Sequence, residues 1–579
     1  MNQKLYENVD VNRSIVDIDK EVLNYWEKKN ILNDILKTKR GNKNFTFLEG
    51  PPTANGRPHV GHLMTRTVKD TVMRYKYMMG YDILRRTGGW DCHGLPVEIE
   101  AEKHFGFNSK KDIENFGIEK FNEYCKDSVF KYIDEWNEID NLIGYWIDEE
   151  NSYVTLRNDY MESEWYALKT LFDENMLVKD YKIVPYCPRC GTSLSSHEVA
   201  QGYKNIDDPS VYVKFMVKGH KNRYFIAWTT TPWTLQSNEF LAVNPDLEYA
   251  LIESEGNEYY LLSSIVDKLF DKYKILSEFK GEALSGMEYE QLMPFLQAPK
   301  NTMKVVTGNF VTADDGTGIV HAAPAFGADD FEIGKKFGVP ILNPVSLDGK
   351  FNNEVPWKDK FVIDANSEII GYLKENKLLF KSQKVKHTYP FCYRGGTRLL
   401  DYPLDAWFIK VSNIRKSLEE NNEKINWYPD YLKEGRFGNF LSEAKDWALS
   451  RDRYWGTPLP VWKCNNKHYL AIGGRDDIKK YGGSVPEDLH RPFIDNVKLK
   501  CPQCNEEMAR EPYVIDTWFD SGSATYAAMH YPFNKNYNVK NIPVDFISEA
   551  IDQTRGWFYT LHVISSLLLK RNGYKTLCP

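Results

Sequence analysis

The chain has 579 residues, of which 27% are charged, with 74 Lys and Arg against 81 Asp and Glu and a net charge of −7. At ~150 residues per domain this is several domains, and the charge balance excludes a histone-like basic coat while allowing a local basic surface for nucleic acid. A composition of 42% hydrophobic and 14% aromatic residues, 15 of them Trp, is that of a folded protein. No run approaches the ~18 apolar residues of a membrane span and Met1 to Glu7 carry no signal-peptide core, so a cytoplasmic protein with no membrane partner is expected.

Residues 1–44 read as a polar, helical lead-in. Phe45-Thr46-Phe47-Leu48 is a short strand pattern that runs into a Gly/Pro-rich loop, residues 50–58. Met64, Val68, Val72, Tyr75 and Met79 then recur at spacings of four and three, with Gly80 placed to end the helix. Strand, loop and helix in this order put a ligand at a helix N-terminus in an open α/β sheet. A second loop spans residues 88–96, and residues 110–180 are patterned as helix. From 200 to 385 the texture changes to short β-rich runs divided by Gly, Asn and Asp, which predicts a separate β-rich domain inserted into the α/β one. Trp-rich segments, a cysteine-bearing stretch and a closing strand and helix around 544–569 follow.

Pro58-His59-Val60-Gly61-His62 places two histidines three apart on the first turn of a helix, beside N–H groups with no intrahelical partner. Imidazoles and the helix dipole can bind charge that grows on a polyphosphate, and Gly61 lets a flat base approach the backbone. Alone, the same residues also describe two partly exposed histidines at a helix start; the strand and loop before them favour the phosphate reading. Three other features have plain structural readings when taken singly: Asp91 as a cap or turn residue, each Trp as core, and Thr229-Thr230-Thr231 as β-formers. The nine cysteines are odd in number and sparse, with two CxxC pairs, which points to reduced thiols and metal or redox chemistry rather than a disulfide framework.

Glu49-Gly50-Pro51-Pro52-Thr53-Ala54-Asn55-Gly56-Arg57-Pro58-His59-Val60-Gly61-His62 resembles the His-Ile-Gly-His signature region of class I aminoacyl-tRNA synthetases, in its isoleucyl form. Further blocks match in the family's order: Gly89-Trp90-Asp91-Cys92-His93-Gly94-Leu95-Pro96-Val97-Glu98, Trp228-Thr229-Thr230-Thr231-Pro232-Trp233-Thr234-Leu235, and residues 318–324, 449–458, 517–522 and 552–558. The resemblance implies an α/β fold, a Rossmann-type nucleotide-binding core interrupted by a β-rich editing insertion and a zinc-ribbon-like insertion. The expected divisions are a lead-in at 1–44, the first half of the core at 45–199, editing at 200–385, a connective zinc-binding region at 386–511 and the start of the second half at 512–579.

It implies further that isoleucine attacks the α-phosphate of ATP, held with Mg2+, and that the acyl group then passes to tRNA(Ile) on a monomeric enzyme. His59 and His62 would bind the phosphates in the transition state, and Gly50, Gly61, Glu549, Asp552 and Gln553 would line the adenylate, with Ala550 standing where the family has glycine. Asp91 would hold the substrate ammonium, and Pro51, Trp518 and Trp557 the isoleucine side chain. One missing methylene is worth ~1–3 kcal/mol, isoleucine against valine being the standard illustration, so a second, hydrolytic site is expected. The resemblance puts it in the insertion, where Asp330 anchors the amino group and Thr229, Thr230, Thr231 and His321 position the ester and a water.

Cys187-Pro188-Arg189-Cys190 and Cys501-Pro502-Gln503-Cys504 each resemble half of a zinc knuckle. Spacing alone allows one site of all four; the family has two, the first completed near Cys392 and the second near Cys464. Gly395 and Lys467 stand where their CxxC partners would be. His468 can complete the second; the first is three-liganded, completed from elsewhere, or empty. The family's Lys-Met-Ser-Lys-Ser loop and helical anticodon-binding domain do not occur in the sequence, so a C-terminally truncated synthetase that activates isoleucine poorly yet keeps its editing site is expected. A stand-alone tRNA deacylase and one half of a split synthetase are the alternatives.

Overall fold

A computed structural model describes residues 10–39, 41, 43–53, 55–313, 316–537 and 539–579. Ala54 of the signature loop and residues 1–9, 40 and 42 of the lead-in lie outside these. Two compact units are present, Met1–Val178 with Phe408–Pro579, and Lys179–Trp407.

In the first unit, strand Lys43–Thr46 pairs in parallel with Tyr81–Leu84. On its other side Phe47 bridges Phe546 in parallel, and parallel bridges Val544 to Tyr574 and Ile547 to Leu577 continue the array. Asn426–Trp427 pairs in parallel with Thr576–Leu577 beyond them. The chain thus leaves the first strand towards Tyr81–Leu84 on one side, while its other neighbour is the segment around Phe546. That is a topological switch point, the place where open α/β sheets bind ligands beyond the carboxyl ends of their strands.

The helix Val60–Met78 follows the predicted period and ends at Gly80, with φ +86°. Its buried residues, however, are Arg66, Lys69 and Met73, whereas Met64, Tyr75 and Met79 are 66%, 56% and 60% exposed. The apolar recurrence marks the helix but not its inner face. The interior it meets is made of aromatic rings and carboxylates: Arg66 lies 4.9 Å from the Trp136 ring centroid and 5.1 Å from that of Tyr145, and pairs with Asp140. A guanidinium suits that lining better than a methionine.

Two of the sequence blocks answer one another. Glu98, on helix Leu95–Phe105, accepts from Arg453 Nε at 2.5 Å and from the backbone N–H groups of Tyr454 and Trp455 at 2.9 and 2.8 Å. Trp455 returns its indole N–H to the Cys92 carbonyl at 2.7 Å, and Gly94 N–H donates to the Trp455 carbonyl at 3.1 Å. The 449–458 segment is therefore a brace that holds the loop carrying Asp91.

The second unit is built on a sheet of nine strands among the described residues. Arg223–Thr229 lies within it, antiparallel to Tyr203–Met216 and parallel to Asn257–Leu262. Ile319–Ala322 bridges it at Val320 and Trp228 and runs antiparallel to Phe240–Val243. The unit extends beyond the expected limits of 200 and 385. Tyr203–Met216 and Leu379–Pro390 pair antiparallel, and Tyr186 and Tyr402 outside them are buried in the unit's own core, 5.3 Å apart. The unit also takes in the flanking chain, including the buried Cys187, Cys190 and Cys392.

Glu98 is fully buried and Arg453 is 2% exposed, so removing one partner strands the other. Glu98→Ala is expected to destabilise the first unit by ~3–5 kcal/mol, read as a fall in the urea midpoint of its unfolding transition.

Candidate functional sites

His59 caps the helix Val60–Met78: its Nδ1 accepts from Gly61 N–H at 3.1 Å, and His62 Nδ1 accepts from His59 N–H at 3.2 Å. A backbone N–H can only donate, so both Nδ1 atoms are acceptors and each neutral ring carries its proton on Nε2. The rings stack with centroids 3.8 Å apart, and His62 packs at 4.7 Å on Trp136, whose indole N–H holds the Gly56 carbonyl at 2.8 Å. Burial, then the nearby His59, Arg66 and Lys69, lower His62 to about 4. The helix start thus presents two neutral Nε2–H donors. A Cβ on Gly61 would lie 3.0 Å from His59 Cε1, so glycine there makes room for the folded-back His59 ring.

At the switch point the first strand runs on to Glu49 and Gly50, and the neighbouring segment to Glu549. A Cβ on Gly50 would lie 2.5 Å from Glu549 Oε1, so this glycine admits the carboxylate. Lys69 Nζ reaches Glu49 Oε1 at 3.0 Å and also bonds Glu549 Oε1. Burial lowers the pKa of Lys69, but Glu49 and Glu549 outweigh it, and the net shift is upward. Burial pushes Glu549 up to about 7, with Lys69 opposing and Glu49 adding to the rise. Lys69 is absent from the residues inferred by sequence; the signal was there, since His62, Arg66 and Lys69 recur at four and three on one helix face.

Asp91 is not a helix cap, because the helix beside it starts from Gly94. Its N–H donates to the Pro52 carbonyl at 3.0 Å, joining the two loops, and its Oδ1 accepts from Thr517 Oγ1 at 3.3 Å. Gln553 Oε1 accepts from Trp557 N–H at 3.0 Å and caps the helix Trp557–Leu569, while its Nε2 donates to Asp552 at 2.9 Å. Trp557 is buried with its indole N–H on the Ser521 carbonyl at 2.9 Å; Pro51 and Trp518 are half-buried. A Cβ on Gly556 would meet Gln553 Oε1 at 2.7 Å and the Trp518 ring at 2.9 Å, so Trp518, Gln553 and Trp557 are drawn together. Ala550 has φ −66° and ψ 156°, extended backbone that alanine adopts without strain.

In the second unit Thr229, Thr230 and Thr231 close the strand Arg223–Thr229, all half-buried. Thr229 and Thr231 hydroxyls lie 3.1 Å apart. Tyr289 O–H donates to Asn238 Oδ1 at 2.7 Å, which turns the Asn238 amide so that Nδ2 donates to His321 Nδ1 at 2.9 Å. The His321 proton then lies on Nε2 and is given to Thr234 Oγ1 at 3.0 Å, and Thr234 O–H donates to the Thr231 carbonyl at 2.9 Å. Burial lowers His321 to about 3. His321 has both nitrogens occupied, and it bears on the threonine turn through Thr234. Thr234 and Asn238 were not singled out by sequence, though Thr234 falls inside the Thr block. Asp330, in the first turn of helix Ala328–Phe337, accepts from Ala323 N–H at 2.8 Å, just past the His321 strand, and burial pushes it up to about 6.

Donor atoms of Cys464, His468, Cys501 and Cys504 lie within 4.8 Å of one another, a complete set for a tetrahedral ion. Cys187, Cys190 and Cys392 form a second such group with three donors. Both could hold a metal ion, and none of the nine cysteines is in a disulfide.

The family model described as tRNA synthetases class I (I, L, M and V) matches residues 21–578. The chain belongs to the class I tRNA synthetases. Among similar class I proteins, an isoleucine–tRNA ligase of Picrophilus torridus is 74% identical over 577 residues, covering 100% of this chain and 56% of that protein. One of Thermoplasma acidophilum is 62% identical with the same coverage, and one of Clostridium acetobutylicum is 51% identical over 99% of this chain and 56% of its own length. The chain thus spans 56% of the length of these curated relatives.

In the synthetase's second unit, His321 is neutral when folded and titrates near its ordinary 6.5 when unfolded. The unfolded state therefore binds the extra proton, and the stability held above pH 6.5 is lost as pH falls from about 6.5 towards about 3. His321→Gln is expected to remove ~1.4 kcal/mol per pH unit of that slope, measured by denaturant unfolding of the β-rich unit between pH 4 and pH 7.

Proposed function

We propose that this chain carries the activating and editing sites of an isoleucine–tRNA ligase that acts in the cytoplasm as a monomer, with ATP, isoleucine and tRNA(Ile) as substrates. The observation that carries the reading is the meeting of Gly50 and Glu549 at the switch point, beneath a helix start that offers two Nε2–H donors. The resemblance of the sequence blocks and the similarity to isoleucine–tRNA ligases supply the substrate.

In the first step a carboxylate oxygen of isoleucine forms a bond to the α-phosphorus of ATP as the bond to the pyrophosphate oxygen breaks. Mg2+ accompanies the ATP as part of the substrate. His59 and His62, with Nδ1 of each engaged by a backbone N–H, donate from Nε2 to phosphate oxygens whose charge grows in the transition state. Glu549, admitted by Gly50, accepts from a ribose hydroxyl, Gly61 borders the nucleotide at the helix start, and Gln553 and Asp552 border it on the other segment. Asp91, oriented by Thr517, holds the ammonium against the walls made by Pro51, Trp518 and Trp557. This needs no protein nucleophile: binding and orientation do the work. In the second unit Asp330 holds the amino group of a misattached valine, while Thr229, Thr230 and Thr231 place the ester for water. His321 fixes the turn through Thr234. Zinc at the four-donor group of Cys464, His468, Cys501 and Cys504 is structural in this reading.

Glu549, pushed up to about 7, accepts from a ribose hydroxyl most strongly as the ionised carboxylate, so isoleucine-dependent ATP–pyrophosphate exchange is expected to rise with pH through about 7. Lys69→Met removes the opposing ammonium, and the rise is expected to move to higher pH with ~10²-fold loss at pH 7; Lys69→Arg restores part of it. An unmoved profile in Lys69→Met refutes this role for Glu549. Thr234→Val is expected to slow deacylation of valyl-tRNA(Ile) by ~10²-fold and to leave exchange unchanged, both measured on the whole protein. Deacylation without any isoleucine-dependent exchange identifies a stand-alone deacylase instead.

A further inference from the structure

The turn that carries Cys392 repeats, bond for bond, the turn that carries Cys187 and Cys190. In the first, Cys190 N–H donates to Cys187 Sγ at 3.4 Å, Gly191 N–H donates to the Cys187 carbonyl at 2.8 Å, and Gly191 takes φ +68°. In the second, Gly395 N–H donates to Cys392 Sγ at 3.2 Å, Gly396 N–H donates to the Cys392 carbonyl at 2.8 Å, and Gly396 takes φ +68°. The turn at Cys501 has the same closure, with Asn505 N–H on the Cys501 carbonyl at 2.8 Å and φ +60°. The backbone of a two-ligand knuckle is therefore intact at 392–396, while the residue in its second ligand position has no side chain.

That position faces the sulfurs. A Cβ on Gly395 would lie 3.1 Å from Cys190 Sγ and 3.5 Å from Cys392 Sγ, so a cysteine there would carry its thiol into the group. Among the described residues the set of metal-donor side chains ends at Cys187, Cys190 and Cys392. Arg189 flanks the gap, its Cδ 3.7 Å from the same Cβ and its Nη1 4.0 Å from Cys190 Sγ. Three thiolates on a divalent ion leave one negative charge, which a guanidinium beside the gap offsets without occupying a coordination position.

We propose that Cys187, Cys190 and Cys392 bind zinc as three thiolates and leave its fourth position, opposite Gly395, open to an exchangeable monodentate ligand such as water or a small thiol. An open position is the mark of zinc sites that exchange ligands, whereas structural sites are closed by four protein donors. Cys464, His468, Cys501 and Cys504 make the closed comparison within the same chain. The open ion ties two turns 202 residues apart, next to the end of the long ladder where Pro390 pairs with Tyr203 and Phe391 N–H reaches the Gly202 carbonyl at 2.9 Å. Its lability is thus the lability of a clamp at the base of the β-rich unit. None of this depends on the synthetase reading.

The test replaces zinc by Co2+ in the whole protein and follows the visible d–d and thiolate charge-transfer bands. One ion, absent from Cys392→Ser, is expected to shift its bands on addition of imidazole or 2-mercaptoethanol, and to leave to EDTA about tenfold or more faster than the Cys464 ion. Gly395→Cys, which adds the missing donor, is expected to abolish the shift and slow the release. Gly395→Ala, which adds a Cβ without a donor, keeps both. An unchanged metal content in Cys392→Ser, bands insensitive to added ligand in the wild type, or Gly395→Ala behaving as Gly395→Cys overturns the proposal. The wild-type and Cys392→Ser measurements decide the matter even where Gly395→Cys does not fold.

Discussion

The first unit depends on a buried ammonium held by two carboxylates. Lys69, on the signature helix, meets Glu49 at the end of one strand and Glu549, 480 residues further on, at the end of its parallel neighbour. Each of these groups alone would be a costly buried charge; together they are tolerable, and only if helix and both strand ends stand in one arrangement. The cluster therefore specifies which segments are neighbours at the switch point. Its charge is also adjustable. Burial pushes Glu549 up to about 7 and Asp140, beside Arg66, up to about 8.

What was legible in the sequence followed from local rules. Phe45 to Leu48, the Gly/Pro loop and the helix after His59 could be read because strand, turn and helix each leave a pattern in consecutive residues. The buried face of Val60–Met78 could not, because the apolar residues at Met64, Tyr75 and Met79 look outward and the inward Arg66 and Lys69 are explained only by partners distant in sequence. Thr229, Thr230, Thr231 and His321 were legible as block residues. The chain Tyr289, Asn238, His321, Thr234 was not, since its order exists only after two strands of one sheet have come together. The limits of the second unit were missed for the same reason: Tyr186 and Tyr402 lie in strands Leu177–Cys187 and Leu400–Ile409, outside the nine-stranded sheet, and only packing assigns them to its core.

The sequence blocks divide into residues that face the sites and residues that hold those residues still. Asp91 and Glu98 belong to one block, but Glu98 is spent on Arg453 and on the backbone of Tyr454 and Trp455. Thr457 in turn donates to Asp520 at 2.6 Å, and Arg451 to Asp516 at 2.6 Å, so the 449–458 segment grips both the loop of Asp91 and the segment of Trp518. One shared brace beneath both segments fixes their separation more simply than two independent ones. The tautomers follow the same economy: backbone N–H groups set His59 and His62, and a turned amide sets His321, so no ring has to reorganise when a ligand arrives.

Ala550 and Gly395 both depart from the family pattern, and their physics differs. At Ala550 the backbone is extended, so glycine's freedom is not needed and the added methyl costs no conformational strain. At Gly395 the knuckle closes with the same bonds as at Cys190, because its N–H groups find Cys392 Sγ and the Cys392 carbonyl whatever side chain the residue carries. The fold tolerates both changes because in each case the backbone supplies the geometry. Coordination does not share that tolerance, since a donor is a side-chain atom with no backbone substitute. A change that is silent in the architecture of the second unit is therefore a change of chemistry at its base.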